Sequence, residues 1–441
     1  MNISNATTAQ PPASGRLVFL DWVRIIAFLL LILFHVGMYY VTWDWHVKSP
    51  FASDVIEPFM TLTSPWRLGL LFLVSGVASS FMLGKLNAGA FIRQRSVRLL
   101  VPLLFGMLVV VPPQPYLEVV EKLGYGGSYA DFMGLYLQAY HGFCKDGHCL
   151  TLPTWNHLWF VAYLWVYTLL LGGLMAVLGL PRFQKLSDAV ARRLTGWNIV
   201  LLPLTALALA RLFLFARFPA NHALVGDWYN HANYVPLFLL GALMARQPAF
   251  WARLDGLRWQ ALAMAAACWA FLIIYFALPD ALVSADLKDL VRDVQRVVYA
   301  LFQWTAVVAA CGFAHRHLQT DGPARRYLTQ AVFPVYILHQ TLIVAMAHAL
   351  KPVKLSPGLE GLVLVVLTLS LSFAGVEIVR RVRWLRPLFG LGKVEESGSA
   401  KSAPAGLPIP HAPQAASQGA ASAAHVTGPV AMAAASASAN A

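Results

Sequence analysis

The sequence predicts an all-α integral membrane protein, a bundle of about ten transmembrane helices with both termini cytoplasmic. Three observations carry that prediction. Of 441 residues, 58% are hydrophobic and only 12% are charged, about half the charge share of a soluble domain. Apolar runs of about 20 residues, the length that crosses a bilayer core as helix, recur along the chain. Lys and Arg also alternate in density between successive connections, as they do when cytoplasmic loops collect positive charge.

The runs fall at about 17–41, 66–84, 97–113, 156–180, 197–216, 232–247, 259–278, 295–314, 328–350 and 359–380. Gly and Pro inside them do not break the helix reading, because neighbouring groups satisfy the freed backbone in a membrane. The first run lacks a preceding basic region and a small-residue cleavage site, so it reads as a span and not a signal peptide. Connections after even-numbered runs, with the C-terminal flank, hold 19 Lys and Arg; those after odd-numbered runs hold 8. The net charge of +13 is therefore mostly a topology signal. No nucleic-acid partner is expected, since that needs a basic soluble domain. Residues 1–16 read as a short N-terminal segment and 17–393 as the transmembrane domain. Residues 394–441 are Ala/Ser-rich and read as a disordered cytoplasmic tail. The longest internal loop, about 114–155, is expected outside, with a short helix near Tyr129–Tyr140.

Polar groups inside these runs are where function is sought. The first run, "LDWVRIIAFLLLILFHVGMYY", carries Asp21, Arg24 and His35. An Asp or Arg at mid-membrane costs roughly 2.5–3.5 kcal/mol. Arg24 and His35 are 11 positions apart and share a helix face to within about 20°, with Asp21 within about 40° of His35. They lie about 16 Å apart along the axis, like two ends of something elongated. Asp21–Arg24 reads equally as an i,i+3 pair at the inner interface. His35 reads as a functional group or as an interhelical hydrogen-bonding one. Arg67 opens the second run, and Ser75–Gly76 sit in its middle, where small residues commonly mean close packing. Arg95 and Arg98, one turn apart at the cytoplasmic surface, suit a phosphate or headgroup, or simple inner-face anchoring. His157 and Trp159 are expected at the outer interface. Arg211 falls in the fifth run and Arg296 near the outer end of the eighth. Tyr336 and His339 stand one turn apart in the ninth, and Glu377 closes the tenth. Such an interior demands a cavity or pathway, in an enzyme or a transporter. In "HGFCKDGHC" (141–149), Cys144 and Cys149 are expected outside, where oxidising conditions favour a disulfide. His141 and His148 add the lesser reading of a metal site; the spacing matches no strong zinc pattern, and no metal is expected. Cys268 and Cys311 read as packing residues.

Arg24-x10-His35, "LFLVSG" at 71–76 and Arg95-x-x-Arg98 resemble three motifs of the membrane acyltransferase-3 family. "FLDWVR", "WHV" at 45–47, "HLWF" at 157–160, "YVPLFLLGAL" at 234–243, "VYILH" at 335–339 and "RVRWLRPLF" at 381–389 resemble its periplasmic-glucan branch. The resemblance covers about 17–393. It implies an O-acyltransferase of the bacterial inner membrane that moves an acyl group, best read as succinyl, from cytoplasmic acyl-CoA to hydroxyls of a periplasmic glucan. O-acetylation of lipopolysaccharide or another surface polysaccharide is the second reading, and a glycan transporter without covalent chemistry the third. Succinyl-CoA or acetyl-CoA enters as donor substrate, with no permanently bound cofactor. The bilayer and the glucan are the expected partners, and no protein partner is identified.

The same resemblance distributes roles. His35 acts as general base on the acceptor hydroxyl, with an acyl-imidazole intermediate as the alternative. Arg24, Arg95, Arg98 and Ser75 hold the donor, and Asp21 orients Arg24. Arg67 or His339 donates to the oxyanion. His46, His157, Trp159 and Tyr336 receive the glucan. A succinyl group ends in a carboxylate, so a further cation is expected near His35, from Arg67, Arg211 or Arg296.

Overall fold

A computed structural model describes residues 17–279 and 284–392. The N-terminal segment 1–16 and the expected tail 394–441 lie outside the described residues. The helices are α1 (Val18–Tyr40), α2 (Glu57–Leu83), α3 (Ala88–Phe105), α4 (Pro113–Leu123), α5 (Tyr129–Leu137), α6 (Trp159–Arg193) and α7 (Asn198–Phe213). They continue as α8 (Trp228–Met244), α9 (Pro248–Ala277), α10 (Lys288–His317), α11 (Pro323–Leu350), α12 (Pro357–Arg381) and α13 (Leu385–Leu388).

Among the described residues, eight stretches are long and apolar enough to cross a membrane: α1, α2, α3 with α4, α6, α9, α10, α11 and α12 with their short flanks. The chain is an all-α, multi-pass membrane protein. Its other two expected runs are helical too, but α7 has 16 residues and α8 has 17. At 1.5 Å per residue they reach about 24–26 Å, short of a hydrocarbon core of about 30 Å. The short α8 is buried by intimate contact with α2. A Cβ on Gly76 would lie 1.9 Å from the Phe238 carbonyl oxygen, and one on Gly241 2.0 Å from that of Leu73. Backbone touches backbone on both sides, which is what small residues achieve between membrane helices.

The third span is broken. After α3 the chain makes a π-helical turn at Gly106–Val110, and α4 restarts with Pro113 in its first turn. A wide turn releases carbonyls that hydrocarbon cannot satisfy, so side chains must. Tyr136 Oη donates to the Met107 carbonyl at 2.7 Å, and Thr341 Oγ1 donates to that of Val110 at 2.7 Å. This corrects the expectation that an outer loop begins at about 114. The stretch is the helix α4, which packs on α11 and places Gln114 and Glu118, four residues apart, on one face. The expected short helix is present as α5, with Ser128 and Asp131 forming a capping box. Beyond it, β1 (Cys144–Lys145) and β2 (His148–Cys149) pair antiparallel, and Cys144 is disulfide-bonded to Cys149.

Candidate active site

α1 lies against α2, α10, α11 and α12, and its polar stripe meets other polar groups at two levels. At the deeper level, His35 Nδ1 lies 2.8 Å from His339 Nε2, and His339 Nδ1 lies 2.6 Å from the Tyr336 carbonyl oxygen. Hydrogen-bond logic fixes the protons. A carbonyl only accepts, so His339 carries its proton on Nδ1 and, as a neutral ring, presents a lone pair at Nε2. His35 must then donate from Nδ1, which leaves its own lone pair on Nε2. That atom is the one equipped to take a proton or attack a carbonyl. His339 is thus an orienting partner behind His35. It has no N–H left for the oxyanion role expected of it.

Trp45 lies nearly parallel to the His35 ring, with centroids 6.5 Å apart. The neighbouring His46 is held through Nδ1 by Glu118, at 2.6 Å. Gln340 Nε2 approaches His46 Nε2 at 3.1 Å, and Gln114 Oε1 accepts from both Gln340, at 3.0 Å, and Asn156, at 2.9 Å. Gln114 Nε2 in turn donates to Thr341 Oγ1 at 2.7 Å. Gln114, Glu118, Asn156 and Gln340 carried no signal in the sequence, since their polar side chains acquire a purpose only once α4 folds back onto α11.

His157, expected at the outer interface, is found with Tyr336 in the wall of this site. His157 Nε2 donates to the Ile337 carbonyl at 3.1 Å, and its ring stands edge-on to His339 with centroids 5.1 Å apart. Tyr336 Oη donates to the His157 carbonyl oxygen. Both side chains are buried and their polar atoms are occupied, so they brace the histidines. Trp159 is also buried and stacks on His222, with centroids 4.2 Å apart. The reason is local: a 3-10 turn at Asn156–Leu158 tucks the start of α6 beneath α11 before the helix proper begins.

Of the three cations considered for an acyl carboxylate, one is near His35. Arg67 is 2% exposed, lies 4.4 Å over the Phe34 ring, and donates to Thr63 Oγ1 at 3.1 Å. Its Nε is buried without a hydrogen-bond partner, and it acts electrostatically on both His35 and His339. Arg211 instead covers the Tyr299 ring at 3.4 Å and donates to Tyr229 Oη at 2.7 Å. Arg296 pairs with Asp293 at 2.9 Å.

At the other level, near the start of α1, Asp21 is 3.4 Å from Arg24 and also accepts from Arg325 of α11. Arg325, a residue the sequence did not single out, is further tied to Asp321 at 2.8 Å. Arg95 is buried, within electrostatic reach of Arg24 and Arg98, with its Nε unpartnered. Three converging guanidiniums repel one another, and a phosphate relieves that repulsion. Ser75 is placed differently, beside the Gly76 contact with α8, with its carbonyl accepting from Ser79 Oγ at 2.8 Å. A cavity of about 300 Å³ between α1, α2 and α10, lined by Val23, Ala27, Leu30, Trp66, Leu70 and Phe313, is apolar and contains none of these histidines. Among the described residues no cluster of His, Cys, Asp and Glu has the arrangement of a metal site.

Residues 17–377 match the acyltransferase domain of the acyltransferase-3 family. The chain belongs to that family and is a membrane O-acyltransferase. It is 25% identical over 389 residues to glucans biosynthesis protein C of Salmonella paratyphi B (strain ATCC BAA-1250 / SPB7), an alignment covering 85% of this chain and 94% of that protein. Proteins of the same name from Salmonella enteritidis PT4 (strain P125109) and Salmonella heidelberg (strain SL476) align with the same identity and coverage. No solved structure matches the chain.

Proposed function

We propose that this protein transfers succinyl groups from cytoplasmic succinyl-CoA to hydroxyls of a periplasmic glucan, across the bacterial inner membrane. The observation that carries the reading is the arginine cluster of Arg24, Arg95 and Arg98 at one end of α1, with the His35 imidazole, within electrostatic reach of the buried Arg67, further along the same helix. Arg24, Arg95 and Arg98 suit the donor's phosphates. His35 lies about 16 Å further along the axis, where the thioester end of an extended pantetheine arm would arrive. Arg67 suits the far carboxylate of a dicarboxylic acyl group, because a buried guanidinium without an acidic neighbour gains most from a bound anion. An acetyl group would leave it uncompensated. The acceptor class comes from the relatives' name and from the polar groups around His46.

The test is reconstitution. Purified protein in liposomes, given labelled succinyl-CoA on one side and glucan on the other, is expected to yield succinylated glucan by mass spectrometry. His35→Ala should lower the rate by about 10²–10⁴-fold, the usual weight of such a group. Full activity in correctly inserted His35→Ala protein would overturn the assignment.

A further inference from the structure

Besides His35, a second imidazole of this site, His46, turns a lone pair toward side-chain amides and not toward another ring. We propose that His46, positioned by Glu118, takes the proton of the acceptor hydroxyl, and that His35 carries the acyl group between donor and acceptor. The proposal rests on the acyl transfer read above.

The geometry is specific. Glu118 Oε1 is held by Lys122 at 2.8 Å, and Lys122 also reaches Asp44 at 2.7 Å. The carboxylate is thereby kept as an acceptor, so the proton between it and His46 sits on His46 Nδ1. His46 Nε2 is then a lone pair, and the amides around it agree: Gln340 Nε2 donates at 3.1 Å and Asn156 Nδ2 approaches at 3.5 Å. Each of those nitrogens uses another N–H on Gln114 Oε1. A carboxylate behind an imidazole whose far nitrogen meets exchangeable amide donors is the layout of a general base awaiting a hydroxyl. His157 differs: its donor nitrogen is spent on the Ile337 backbone carbonyl and not on a carboxylate. Trp45 adjoins both imidazoles, nearly parallel to His35 with centroids 6.5 Å apart and 5.7 Å from the His46 ring. A hydroxyl deprotonated at His46 has no need of His35 as its base.

The chemistry balances in two stages. His35 Nε2 attacks the thioester carbon; the C–N bond forms, the C–S bond breaks, and sulfur leaves as coenzyme A thiolate, which takes a proton from water. His35 keeps its Nδ1 proton, shared with His339, as an acyl-imidazolium. The glycan oxygen then attacks the acyl carbon while its proton passes to His46 Nε2. The C–O bond forms, the C–N bond breaks, and the electron pair returns to His35; His46 releases its proton to water. Glu118 touches neither reactant and is a positioning residue.

Full-length protein in detergent is mixed with succinyl-CoA, first without glucan and then with it, and released thiol, protein mass and succinylated glucan are followed. Wild type is expected to release one thiol per chain before glucan is added, with the succinyl mass on the peptide that contains His35. His46→Ala and Glu118→Gln should keep that burst yet lose about 100-fold in transfer to glucan. Added imidazole should restore transfer in His46→Ala but not in Glu118→Gln, and Glu118→Asp should recover part of the rate. Burst and transfer falling together in both variants, or transfer unchanged, would overturn the proposal, as would wild-type transfer without acyl-protein. Wild type that moves no acyl group from any donor to glucan would instead sink the reading on which this one stands.

Discussion

Arg67 shows how much a single side chain can decide. It is buried against Phe34, it donates to the Thr63 hydroxyl, and it lies within electrostatic reach of His35, the imidazole proposed to react. A charge-assisted hydrogen bond is worth about 1.5–3 kcal/mol, or about 10–150-fold in selectivity. Arg67→Gln is therefore expected to reduce kcat/KM for succinyl-CoA by that factor while changing acetyl-CoA little, read from parallel rate measurements with the two donors. His222 makes a pH prediction. Burial holds its pKa below the ordinary histidine value of 6.5, so just under that pH the unfolded chain binds a proton that the folded chain refuses. Stability from this residue is complete above about 6.5 and is lost as pH falls. His222→Asn, which tolerates the left-handed backbone at φ 57°, should flatten the fall in melting temperature between pH 7 and 5. Residues of this kind were unequally visible in the sequence. Arg24, His35 and Arg67 stand out because charge in an apolar run is costly. Glu118 did not, because "PPQPYLEVVEK" reads as the start of a loop until the helix beyond the prolines is seen.

Helices were legible where their apolar runs were long, since about 20 residues without charge leave few alternatives. α4 was missed because the consecutive prolines Pro112 and Pro113 would normally end a helix, and here they only redirect one. The redirection brings Gln114 and Glu118 to the histidines, so the irregular backbone and the site belong together. The contact between α2 and α8 makes its own prediction. A side chain at Gly241 would strike the Leu73 carbonyl, and neither partner is a flexible side chain. Gly241→Ala should cost about 1–3 kcal/mol in stability, visible as a lower melting temperature in detergent. Gly173→Ala, where nothing lies within 4 Å, should not.

Across the whole molecule, the alternation of basic residues predicts that the connections after α2, α6 and α10 face the cytoplasm and that the β1–β2 hairpin faces away. Orientation is testable through the four cysteines. Cys268 and Cys311 are free and buried, while Cys144 and Cys149 are joined. Protein unfolded without reductant and treated with a mass-adding maleimide should gain two tags, and with reductant four. That clip closes only where thiols are oxidised. A chain threaded the wrong way round would keep its hairpin in a reducing compartment and show four reactive sulfurs from the outset. Each copy thus retains a chemical memory of its own insertion, readable long after the translocation machinery has let go.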